Sequence, residues 1–186
     1  HELSKHKSLG VITVQCEDEI SGCATAIGAS FAGALAVTTT SGPGVCLKSE
    51  AMNLAVITEL PLVVLDVQRG GPSTGLPTKS EQTDLLQALF GRNGESPMPV
   101  IAATSPTNCF DAAYAACKMA LEHMTPVVLL TDGFVANGSG SWKLPNLDTY
   151  PEIKPQYVTP EMKDNYTPYK RNPENQVRYW AVPGQE

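Results

Sequence analysis

Five short runs along the chain are apolar and β-branched enough to be strands: Val11 to Gln15 (VITVQ), Leu35 to Thr40 (LAVTTT), Pro61 to Val67 (PLVVLDV), Pro99 to Ala103 (PVIAA) and Pro126 to Thr131 (PVVLLT). The third and fifth are almost continuously apolar, as expected of parallel strands covered on both faces. Between the runs the period changes to that of a helix. Ile20, Ala24, Ile27 and Phe31 recur at helical spacing after the acidic Glu17-Asp18-Glu19, which suits the positive end of a helix dipole. The turn Ser41-Gly42-Pro43-Gly44 opens a helix from about Val45 to Glu59. Another is predicted near Glu81 to Phe90 with Ser80 as its N-cap, and a fourth runs from Pro106 through His123 with Phe110, Tyr114, Cys117 and Leu121 on one face. Strict alternation of strand and helix predicts an α/β domain with a mainly parallel sheet, helices on both faces and right-handed crossovers.

From about Ser139 onward, proline, tyrosine, asparagine and charge replace both periods. Residues 1–141 therefore read as the domain, truncated at its N-terminus, and 142–186 as an extended linker leading to a further domain. That linker either wraps on the domain through Trp142, Tyr157 and Trp180 or extends into solvent, and the pattern leaves both open. A length of 186 residues with 42% hydrophobic content suffices for one ordinary core. The net charge of −6, with basic residues scattered, argues against nucleic acid or an anionic membrane surface as partner. Neither a membrane-length apolar run nor a signal-peptide pattern is present, so the expected location is the cytoplasm. Cys16, Cys23, Cys46, Cys109 and Cys117 fit neither a metal motif nor a disulfide framework, and read as small buried or helix-face residues.

Candidate chemistry gathers where the strands end. The loop Gln68 to Lys79 follows the third strand and carries Arg69 among Gly70, Gly71 and Gly75, with Pro72 and Pro77 limiting its freedom. Ligands of open parallel sheets collect outside this edge, and an arginine fork there suits a carboxylate or phosphate. The competing reading of Arg69 is a salt bridge to Asp66 or Asp84. Glu19 falls at the same edge, and its competing reading, shared with Glu17 and Asp18, is helix capping. Gly42, Pro43 and Gly44 admit close approach of a flat ring or phosphate, without the spacing of a Walker or dinucleotide fingerprint. His123 reads as a dipole cap, and His1 and His6 are assigned nothing. No metal-ligand spacing appears.

The runs QCEDEISGCATAIGASFAGA, TTTSGPG and ELPLVVLDVQRGGPSTGLPTKSEQTDLLQALFGRNGES resemble the α subunit of 2-oxoacid:ferredoxin oxidoreductases, nearest to the 2-oxoglutarate branch, over His1 to about Trp142. The resemblance implies the pyrimidine-binding domain of a thiamine diphosphate enzyme that oxidatively decarboxylates a 2-oxoacid, passing electrons to ferredoxin and the acyl group to coenzyme A. It makes Glu19, with Glu17 as fallback, the carboxylate that bonds the aminopyrimidine and favours its imino tautomer. It makes Arg69 the clamp for the substrate carboxylate and Thr78 a second contact, with Gly42, Pro43 and Gly44 lining the pyrimidine pocket. The family's YPITPS turn and its Gly-Asp-Gly magnesium motif are absent from this chain. A β subunit with the diphosphate-binding domain is thus implied, with magnesium and iron–sulfur clusters on other subunits, an oligomeric assembly, and an isolated chain that is inactive. The rivals are a non-catalytic anion-binding α/β module and a domain kept for assembly alone.

Overall fold

The computed structural model describes residues 2–185; His1 lies outside them. Among these residues the strands form one parallel four-stranded sheet, built from β1 (Val37–Thr40), β2 (Leu62–Gln68), β3 (Val100–Ala102) and β4 (Pro126–Asp132) in the order β1-β2-β4-β3. The register sets Val37 beside Val63, Leu62 beside Pro126 and Val100 beside Val128. The two continuously apolar runs became β2 and β4, the central strands, where both faces must be covered.

Alternation along these strands divides the core. Leu62, Val64, Val128 and Leu130 face one layer with Cys23, Ile27, Val45, Met52 and Ala55, contributed by α1 (Glu19–Phe31) and α2 (Gly42–Ile57). Val63, Val127 and Leu129 face the other layer, against Ala112, Ala116 and Ala120 of α4 (Cys109–His123). Alanines at this spacing let α4 approach the sheet closely. The short helices α3 (Leu85–Phe90) and α5 (Gly133–Asn137) follow β2 and β4.

Three expectations are corrected. Val11 to Gln15 is not a strand: Ile12 is 88% and Val14 61% exposed, and the segment runs beside β1 without pairing to it. A β-branched run becomes a strand only where a neighbour offers a ladder, and here a cavity intervenes. Helix α2 begins at Gly42 rather than Val45, with Pro43 in its first turn, where a missing N–H costs nothing. Helix α3 begins at Leu85 rather than Glu81, and Ser80 does not cap it. The reason lies in the hydrogen bonds of residues 81–84. Glu81 accepts from the Gly71 amide at 2.7 Å, Gln82 donates to Asp132 at 2.6 Å, and the Asp84 amide donates to Gln68 at 3.0 Å. These bonds tie the strand ends together and hold that backbone out of a helix.

The C-terminal segment wraps. Trp180 is 1% exposed, packs with Leu121, Met124 and Val177, and stacks on Tyr157 with ring centroids 5.4 Å apart. Trp142 is half-exposed and meets the Phe110 ring at 5.9 Å. Arg171 pairs with the Glu59 carboxylate, and Arg178 donates to the Glu59 carbonyl at 3.1 Å, so the segment is clipped to the α2–β2 corner. His123 ends α4 and is exposed, in keeping with a dipole cap.

Candidate active site

Helix α1 starts with a capping box. The Asp18 carboxylate accepts from the Ser21 amide at 2.7 Å, and the Ser21 hydroxyl accepts from the Asp18 amide at 3.3 Å. The Ser21 amide holds the Asp18 carboxyl below the usual carboxylate range. Capping is therefore the work of Asp18, and Glu19 at the first helical position is not needed for it. Among the described residues the Glu19 carboxylate enters no hydrogen bond or ion pair, although it acts electrostatically on Lys48. Glu17 is exposed and precedes the helix.

Glu19 borders a cavity of about 550 Å³ whose walls include Val11, Val14, Cys16, Leu35, Thr38 and Lys48. It lies between the N-terminal segment and the outer edge of β1. Lys48 is 2% exposed and donates to the Thr38 hydroxyl at 2.7 Å. Burial pushes its pKa down, while Cys23, Glu19 and Cys16 act in the opposite direction. The sequence reading passed over Lys48, yet its position was a signal. With Val45, Met52 and Ala55 it occupies the buried stripe of α2, where an ammonium is placed only with a partner. A second cavity of about 530 Å³, beside the C-terminal end of α3, is lined by Leu89, Phe90 and Arg92 among others, and the Arg92 guanidinium is already bonded to Ala88 and Ser96.

The first turn of α2 is tightly enclosed. A side-chain carbon on Gly44 would fall 1.8 Å from the Thr40 hydroxyl and 2.8 Å from Glu19 Cγ, and one on Gly42 would fall 2.6 Å from an Asp84 oxygen. Gly42 and Gly44 are thus required by the protein's own side chains, and Pro43 between them is half-buried. Gly44 and Glu19 are the two anticipated site residues that the fold brings directly together.

Arg69 leaves the end of β2 half-buried, with its Nε buried and without a hydrogen-bond partner among the described residues. It forms no ion pair among the described residues, so the salt bridge to Asp66 or Asp84 is not made; those two carboxyls face each other instead. The loop beyond folds on itself, the Gly70 amide donating to the Lys79 carbonyl at 2.8 Å and the Leu76 amide to the Gly70 carbonyl at 2.8 Å. Gly75 has φ +49° and lies so close to the Gly70 carbonyl that a side chain there would stand 2.1 Å away. Thr78 is exposed on the same loop. Arg69 and Thr78 do not line the cavity bordered by Glu19.

Residues 1–182 match the family described as "Pyruvate flavodoxin/ferredoxin oxidoreductase, thiamine diP-bdg". The chain belongs to this family. Among its relatives, the 2-oxoglutarate oxidoreductase subunit KorA of Mycobacterium tuberculosis is 56% identical over 184 residues, 99% of this chain and 28% of that protein. The 2-oxoglutarate synthase subunit KorA of Archaeoglobus fulgidus is 44% identical over 138 residues, 74% of this chain and 40% of the relative. A solved 2-oxoglutarate:ferredoxin oxidoreductase from Magnetococcus marinus, with 2-oxoglutarate, coenzyme A and succinyl-CoA bound, superimposes with a TM-score of 0.87 at 35% identity, covering 97% of this chain and 31% of that one. This member of the thiamine diphosphate-binding family thus spans well under half the length of these relatives. The α/β architecture expected from the alternating pattern is the one observed, and the resemblance noted in the sequence holds. Among the described residues no helix is long and apolar enough to cross a membrane.

Proposed function

We propose that this domain is the pyrimidine-binding part of the α subunit of a thiamine diphosphate-dependent 2-oxoacid:ferredoxin oxidoreductase that acts on 2-oxoglutarate and forms the acyl-CoA. The observation that carries the reading is the uncommitted Glu19 carboxylate. Its neighbour Asp18 takes the cap, and Glu19 is left at a cavity wall beside Gly44. These residues fit the aminopyrimidine half of the cofactor: a carboxylate to accept from a ring nitrogen, apolar Val11, Val14 and Leu35 for the ring, and a glycine turn. Bound thiamine diphosphate would supply the nucleophilic carbon and the electron sink that decarboxylation of a 2-oxoacid requires.

This chain's own residues orient and hold. Glu19 keeps a proton at the ring nitrogen. Gly42, Pro43 and Gly44 hold α2 close to that carboxylate. Arg69, whose Nε lacks a partner among the described residues, clamps the carboxylate of the 2-oxoacid with Thr78 as a second contact. A β subunit supplies the diphosphate and magnesium half, iron–sulfur clusters lie on other subunits, and ferredoxin accepts the electrons.

The test is thiamine diphosphate- and coenzyme A-dependent reduction of a viologen dye by the full-length chain with its partner subunit, with 2-oxoglutarate compared against pyruvate. Turnover with 2-oxoglutarate is expected, and a complex that reduces the dye with neither acid overturns the reading. In the same assay Arg69→Ala raises the KM for the 2-oxoacid by about 10- to 100-fold with a smaller change in kcat, the loss of one charge-assisted contact. An unchanged KM would remove Arg69 from the substrate site.

A further inference from the structure

On β2, Asp66 is 0% exposed, in register with Thr40 on one side and Leu130 on the other. Strand alternation places it on the face of Leu62 and Val64, under α1 and α2. A carboxylate in such a place needs donors, and among the described residues it has none: both Asp66 oxygens and Asp84 Oδ2 are buried without a hydrogen-bond partner. The two carboxyls lie within hydrogen-bonding reach of each other. Two acceptors in contact are satisfied only by a proton between them.

We propose that Asp66 and Asp84 share one proton, Asp66 as the acid, and that this bond positions the Arg69 loop and the first turn of α2 around the site. The proposal rests on the reading that those two segments form the site. Burial foremost, and then the charge of Asp84, raise the Asp66 carboxyl to about 8. Among the described residues no cation acts on the pair, and Glu19 and Cys23 of α1 act on Lys48 instead. Lys48 on α2 is bonded to Thr38, Cys46 on α2 to Gln87, and Asp132 on β4 to Gln82 and the first amides of α5. β1 presents only threonines and a valine, and Arg69 forms no ion pair among the described residues.

The pair joins three segments. Asp66 belongs to the strand that enters the Arg69 loop. Asp84 ends that loop, and its amide donates to Gln68, which in turn donates to the Thr131 carbonyl at 3.2 Å. The Asp84 carboxylate also lies against Gly42, so closely that a side chain there would meet it at 2.6 Å. Ionising both carboxyls drives Asp84 off Gly42 and loosens the exit of the loop.

The sign of the pH effect follows. The folded chain holds this proton from the ordinary carboxylate value of 3.8 up to about 8, where the unfolded chain has lost it. The associated stability is therefore complete below that lower limit, declines across the window and is gone above about pH 8.

The test uses the full-length complex and two variants. Asp66→Asn supplies a permanent donor of the same size, and Asp66→Val supplies none. Infrared spectra with ¹³C-carboxyl aspartate should show a protonated carboxyl at about pH 6 that titrates away near pH 8 and is missing from Asp66→Asn. The melting temperature of Asp66→Asn minus that of wild type should rise from about pH 5 to pH 9. Asp66→Val should raise the KM for the 2-oxoacid about tenfold, and Asp66→Asn should recover most of that loss while flattening its alkaline pH dependence. A carboxyl band that persists in Asp66→Asn, or a melting difference flat with pH, overturns the proposal. If the band titrates as expected in a complex without 2-oxoacid turnover, the acid pair stands and the functional reading falls.

Discussion

Glu19→Gln lowers kcat of the full-length complex by about 10²- to 10⁴-fold, the range for removing one positioned acid–base group. The amide has the shape of the carboxylate and still accepts a hydrogen bond, but it cannot hold a proton at the ring nitrogen as a carboxyl does. Affinity for thiamine diphosphate should change far less than turnover, since the apolar wall and the glycine turn remain. Folding is not at issue, because the capping box uses Asp18 and Ser21 and leaves Glu19 out. Steady-state kinetics beside cofactor titration by tryptophan fluorescence separate the two effects. A variant with normal turnover would end the assignment, and a collapse confined to Glu17→Gln would transfer it to that residue.

Trp180→Ala acts on stability. The ring is almost completely buried and carries the contact between the C-terminal segment and Leu121 and Met124. Truncating a buried tryptophan costs about 3–5 kcal/mol. The loss should stay local, since the segment is held to the domain by this cluster and by the Glu59 corner. Native-state hydrogen exchange in the full-length protein should show the amides of Val158 and Trp180, bonded to Trp180 and Gln156 at 3.0 and 2.7 Å, exchanging about 10²- to 10³-fold faster. The amides of β2 and β4 should keep their protection. Faster exchange throughout the sheet would mean that the segment is integral to the core.

Where the pattern depends on burial alone, the sequence was easily read. The runs LVVLD and VVLLT could only be central strands, but the face of α4 expected from Phe110, Tyr114, Cys117 and Leu121 misled: Ala112, Ala116 and Ala120 turn to the sheet, and Phe110 and Tyr114 meet Tyr150 of the C-terminal segment. VITVQ misled because propensity is silent about the neighbour a strand needs. The start of α3 was misplaced because Glu81, Gln82 and Asp84 bond to residues 10, 50 and 16 positions away, which no local rule anticipates. The site was partly visible. Arg69 stood out by its place at the end of β2 and Glu19 by following a run taken for a strand, and the capping alternative for Glu19 gave way only when Asp18 was found to fill that role. Lys48 went unremarked, and Asp66 was weighed only as a salt-bridge partner for Arg69, because a charged residue inside an apolar stripe is easily taken for a break in the stripe. For Lys48 the apolar stripe around it was the signal, while the burial of Asp66 could be known only once α2 had been laid on β1 and β2.

The clip at Glu59 has a kinetic consequence. Arg171 and Arg178 meet it across 112 and 119 residues of chain. Closing so long a loop adds little to the equilibrium cost, which grows only logarithmically with length, but contacts of this separation form late. During synthesis the four strands leave the ribosome well before Arg178 does. The nascent chain therefore passes through an interval with its sheet complete while Leu121 and Met124 are still bare, the interval in which it is most open to aggregation and to chaperone capture.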